Sequence, residues 1–96
     1  MNETKEAYVQ KLNAKMDEWN AEIHKLEAKA DQAEAEAKIE YEKQLEDLRA
    51  KRKDLEDKIE NLQQAGEIAW EDLKAGIESA WDSLGNAVNS AVSRFK

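Results

Sequence analysis

The stretch Leu62-Gln63-Gln64-Ala65-Gly66-Glu67-Ile68-Ala69 decides how the rest of this chain is read. Glycine at this point can end a helix in a left-handed cap and reverse the chain. The register points the other way, because Leu62, Gly66, Ala69 and Leu73 continue an apolar stripe in steps of four, three and four. The expectation is therefore an all-α protein. One long amphipathic helix, continuous or bent near Gly66, forms a coiled coil or helical bundle by self-association. The alternative is a helical hairpin with its turn near residues 64–67.

On the N-terminal side of this stretch the apolar positions Val9, Leu12, Met16, Trp19, Ile23, Leu26, Ala30 and Ala33 follow one another in steps of three and four, the spacing of a heptad seam. From Ala33 through Ala37 and Tyr41 to Leu45 the step becomes four throughout, a discontinuity expected to unwind a left-handed supercoil locally. Heptads resume at Leu48, Leu55, Ile59 and Leu62, with Arg52 at a seam position, where its long stem is expected to snorkel. Asn2 or Thr4 is placed to cap the N-terminus of the helix, and Arg94 and Lys96 complement the dipole at the other end.

On the C-terminal side the period changes. Trp70, Trp81 and Val92 are spaced by eleven, as are Leu73, Leu84 and Phe95, and Ile77 and Val88. Eleven residues fill about three turns, so this stripe runs nearly parallel to the helix axis. The division is a heptad coiled-coil segment over residues 1–64 and an eleven-residue-repeat amphipathic helix over residues 65–96, within one structural unit.

Composition supports helix throughout. The 96 residues contain no proline and only three glycines, and 39% are charged; without proline no position forbids continuation of a helix. A continuous helix would be a rod of about 140 Å with no interior. Each large apolar side chain stabilises by roughly 1.5–3 kcal/mol only when it leaves water, against about 1–2 kcal/mol for ordering each residue, so the stripe needs a partner. A net charge of −7 disfavours nucleic acid as that partner. The start of the chain lacks the blocks of a signal peptide, and no apolar run nears the ~18 residues of a membrane span, so a cytoplasmic location is expected.

Candidate chemical sites are few. His24 is the single histidine and there is no cysteine, so a metal would have to be held by carboxylates alone, without a loop to gather them. Glu36 and Glu40 share a helix face, yet acid–base chemistry needs a pocket that shifts a pKa, and one helical surface supplies none. Arg49-Ala50-Lys51-Arg52-Lys53 is a basic cluster surrounded by Glu46, Asp47, Asp54, Glu56 and Asp57, which balance it. No catalytic residue, metal, cofactor or small-molecule substrate is expected.

The segments Asp17-Glu18-Trp19-Asn20-Ala21-Glu22-Ile23, Lys38 to Lys43, Leu45 to Arg49, Ala69 to Ala75 and Ser93 to Lys96 resemble small bacterial coiled-coil proteins of unknown function, a group loosely linked to stress responses. The resemblance covers nearly the whole chain and implies a cytoplasmic bacterial protein. The eleven-residue blocks are separately similar in period to exchangeable apolipoproteins.

Two functions are thus expected. The first is non-enzymatic oligomerisation or scaffolding, with the chain itself as partner and Val9, Leu12, Met16, Trp19, Ile23, Leu26, Leu45, Leu48, Leu55, Ile59 and Leu62 as the oligomer seam. The second is attachment to a lipid or storage-granule surface through the C-terminal apolar face of Trp70, Leu73, Ile77, Trp81, Leu84, Val88, Val92 and Phe95. That helix has a Ser- and Asn-rich, weakly charged polar face of the kind that suits packing defects in lipid.

Overall fold

The computed structural model describes residues 4–66 and 68–95, which form three helices: α1 (Lys5–Gln32), α2 (Ala35–Gln64) and α3 (Ala69–Arg94). All-α holds, and the single long helix does not. The longest dimension of the molecule is 51 Å, with the other two at 18 and 17 Å. The stripe that a rod would leave in water is covered by folding the chain back twice.

Thr4 begins α1 by accepting a hydrogen bond from the Ala7 amide at 3.1 Å. This satisfies one of the amides that a helix start leaves without a partner, worth about 1 kcal/mol. Asn2, the other expected cap, lies outside the described residues, as does Lys96.

The first reversal falls where a supercoil discontinuity was expected. Ala33 (φ −80°, ψ 154°) and Glu34 (φ −72°, ψ 162°) are extended, and the Ala33 amide donates to the Ala30 carbonyl at 3.2 Å to close α1. The run of four-residue steps thus marks a turn between helices. Neither glycine nor proline announces it.

The second reversal uses the Gly66 segment, though not through a left-handed cap. No described residue has a positive φ. The chain leaves α2 through extended Ala65 (φ −74°, ψ 148°), whose amide donates to the Leu62 carbonyl. With two reversals the molecule is neither a rod nor a two-helix hairpin.

Helix directions follow from cross-chain contacts. Lys5 Nζ donates to the carbonyls of Gln63 and Ala65, so the start of α1 lies beside the end of α2. Tyr8 meets Trp70, and Tyr41 meets Phe95, so α3 runs parallel to α1 and antiparallel to α2. The three stripes converge on one core that includes Leu12, Ile23, Leu45, Leu55, Leu62, Ile77 and Leu84, and among the described residues no polar or charged side chain is buried with them.

Two glycines inside α3 have opposite surroundings. A Cβ on Gly76 would meet nothing within 4 Å, whereas one on Gly85 would lie 3.1 Å from Cζ2 of Trp19. Gly85 is the seat of the Trp19 ring. Gly76→Ala should stabilise the fold by about 0.5–1 kcal/mol through helix propensity alone. Gly85→Ala should stabilise less than Gly76→Ala, because the Trp19 ring must give way by a few tenths of an ångström and that offsets the propensity gain. Urea denaturation of both variants checks the ranking.

Candidate functional site

The third helix and its link differ chemically from the rest of the bundle. Ile68, at the N-cap position, is 88% exposed and offers no capping side chain, so the first amides of α3 lack that local support. From Ser83 to Ser93 the helix carries no charge at all. α1 and α2, by contrast, alternate acidic and basic residues along their outer faces.

The inner face of α3 is aromatic and aliphatic. Trp70, Ile77, Leu84 and Val88 are buried, Trp81, Val92 and Phe95 are half-buried, and Leu73 is 37% exposed. Every ring on this face has an aromatic partner on another helix. Tyr8 of α1 lies 5.8 Å from Trp70 between ring centroids, Trp19 of α1 lies 4.6 Å from Trp81 edge to face, and Tyr41 of α2 stacks on Phe95 at 3.9 Å. Such pairs add about 0.5–1.5 kcal/mol beyond the area they bury. The Lys74 ammonium sits 5.0 Å from the Tyr8 ring centroid and 5.2 Å from that of Trp70, a cation over both faces.

The two α1–α3 pairs share one register: 8 with 70 and 19 with 81 are both 62 residues apart. The eleven-residue period of α3 is therefore matched by Tyr8, Trp19 and Ala30 on α1. Tyr8 is the core residue that the heptad reading passes over in favour of its neighbour Val9, which is only half-buried. The eleven-residue spacing from Tyr8 to Trp19 was the signal for it.

The seam residues Leu12, Met16, Ile23, Leu26, Leu45, Leu48, Leu55, Ile59 and Leu62 are all buried within the chain, and Trp19 is half-buried. Their cover comes from the other two helices of the same molecule.

The polar candidates resolve into ion pairs. His24 is exposed, with Nε2 3.9 Å from Glu27. Glu40 turns to Arg94 at 3.2 Å, while Glu36 is exposed. In the basic cluster Arg49 donates to Glu27 at 2.7 Å, Lys51 to Asp47 at 2.7 Å and Lys53 to Asp57 at 2.8 Å. Arg52, at its seam position, reaches across to Asn20 Oδ1 at 3.1 Å and lies 3.7 Å from Glu56. Among the described residues no group of three or more His, Cys, Asp or Glu side chains gathers as a metal would need, and no helix is long and apolar enough to cross a membrane.

The hydrogen bond that Arg49 donates to Glu27, with the carboxylate's charge, raises the Arg49 pKa above the usual arginine value, against a smaller opposing effect of desolvation. A raised cation pKa contributes stability that is present at low and neutral pH and lost only as pH rises through the raised value. Stability from this pair should thus be flat across neutral and mildly alkaline pH. A double-mutant cycle of Glu27→Ala with Arg49→Ala should return a coupling of no more than about 1 kcal/mol, as expected for a solvent-exposed pair, and added salt should reduce it.

Compared with protein-family models, curated proteins and solved structures, the chain shows no match.

Proposed function

We propose that this protein attaches peripherally to lipid surfaces by releasing α3 from the bundle. The observation that carries the reading is the contrast in how the helices are tied. α1 and α2 are joined by directional polar contacts: Arg49 with Glu27, Arg52 with Asn20, and Lys5 with the carbonyls at the end of α2. α3 is held to them largely by rings and aliphatic side chains, with the Lys74 ammonium over the Tyr8 ring near its start and Arg94–Glu40 as an exposed ion pair at its far end.

That difference matters because apolar contacts are transferable. Burial removes the same apolar area from water whether the new neighbour is a protein side chain or an acyl chain, whereas a directional hydrogen bond has no equivalent in hydrocarbon. A helix held by apolar contacts can therefore exchange its protein partners for lipid. The charge-free stretch of α3 from Ser83 to Ser93 makes binding there depend on apolar insertion, and the net charge of −7 directs the protein to neutral surfaces with loose packing, away from anionic ones.

The link suits such a release. Gly66 is exposed with no neighbour around its Cα substituent position, and Ile68 and Leu73 present apolar side chains to solvent before any opening occurs. These two residues would meet the surface first.

A second reading, self-association as a structural element, is favoured by the composition of the other link, Ala33–Glu34, where helix formers occupy a turn.

Flotation with small zwitterionic phosphatidylcholine vesicles tests the surface reading. The protein should co-float with small, highly curved vesicles and much less with large, tightly packed ones. Ile68→Glu, at a side chain that is 88% exposed, should leave the thermal melt nearly unchanged while reducing the floated fraction severalfold. Absence of flotation by the unaltered protein, or equal flotation of the Ile68→Glu variant, overturns the reading.

A further inference from the structure

The turn between α1 and α2 is made from residues whose own preference is helix. Ala33 and Glu34 are extended, yet alanine heads the helix-propensity scale and glutamate stands close behind it. Glu34 occupies the N-cap position without a side-chain hydrogen bond, and the flanking sequence from Ala28 to Ile39 contains neither glycine nor proline. Helix α1 is closed by the Ala33 amide, and the last carbonyls of α1 and first amides of α2 forgo the ladder that a continuous helix would give them.

The apolar stripe runs unbroken across the same point. Leu26, Ala30, Ala33, Ala37, Tyr41 and Leu45 proceed in steps of three and four, so residues 5–64 can form one helix without turning any part of the stripe outward. Within one chain that straight form would strip α1 of its cover. Two chains remove the conflict.

We propose that residues 33–34 act as a hinge through which two copies of the chain exchange α1. Each long helix runs antiparallel to its mate across a two-fold axis near the hinge, and α1 of one copy packs on α2 and α3 of the other. The contacts that α1 makes with α2 and α3 in the closed bundle are recreated between chains, those between α2 and α3 stay within each chain, and each chain regains the helical hydrogen bonds missing at the turn. Around the axis the apolar side chains are Ala30, Ala33, Ala35 and Ala37, small enough for two helices to pass closely. This inference goes beyond the surface reading and does not rest on it.

Refolding the full chain at high protein concentration, followed by light scattering on the eluted species, should yield a slowly dissociating dimer of twice 11.0 kDa beside the monomer. Spin labels at positions 10 and 60, on chains diluted with unlabelled protein, report the exchange. The labels lie near one another in the closed bundle, where the ends of α1 and α2 meet, and should separate to about 75 Å along a straight helix in the dimer.

Glu34→Pro closes the hinge. The observed φ of −72° suits proline and Ala33 is already extended, so the monomer keeps its fold while a continuous helix is forbidden. This variant should refold as monomer, with the dimer fraction reduced at least about tenfold. No dimer from the unaltered chain, a dimer that keeps the short label distance, or a Glu34→Pro protein that dimerises as readily each overturns the proposal.

Discussion

Trp19 rests in the notch that Gly85 leaves in α3, with its edge against Trp81, and the alignment of α3 with α1 follows from that seat. The Trp19 ring approaches α3 more closely at Gly85 than a side chain there would comfortably allow, so the contact favours one level of α3 and one face of it. Once Trp19 is seated, the eleven-residue spacing on both helices brings Tyr8 to Trp70. The far end is closed by Tyr41 on Phe95, which ties α2 into the same assembly. Because α1 and α3 are parallel, α2 must run back between them, and the two links take their positions from that requirement.

Helix α1 carries two periods at once. Leu12, Met16, Ile23 and Leu26 keep the heptad spacing, while Tyr8, Trp19 and Ala30 keep the eleven-residue spacing that matches α3. A helix in a three-helix bundle has two neighbours, and its apolar stripe is wider than a coiled-coil seam for that reason. The half-burial of Val9 beside buried Tyr8 is the local sign of this widening.

The helices and their inward faces were legible in the sequence because apolar periodicity is a local property, visible in the spacing of Leu12, Leu48 or Leu84 without knowledge of what covers them. The turn at Ala33–Glu34 was not, since both residues favour helix and the stripe continues through them; only the closing of α1 onto α2 and α3 supplies the force that breaks the helix there. Gly66 drew attention to the second link for its conformational freedom, yet the chain turns with every described φ negative, so what glycine contributes is room and not handedness. The weakly charged face of α3 was also legible. Its partners on α1 and α2 were not, because a stripe on its own does not say whether it meets a second copy, a surface or the same chain.

The two links now stand in physical contrast, and that contrast orders the behaviour of the molecule. At 33–34 the chain opposes its own helix propensity, so whatever relieves the burial requirement of α1 favours straightening. At the second link an exposed glycine and a helix start without a side-chain cap hold α3 with no gain in helix to be had on leaving. Under the proposed exchange the first link would respond to another protein chain, which can offer α1 the same side-chain geometry it has within the bundle. Under the proposed surface attachment the second would respond to an apolar phase, which can replace aromatic and aliphatic neighbours but offers nothing to the Arg49–Glu27 and Arg52–Asn20 contacts that hold α1 to α2.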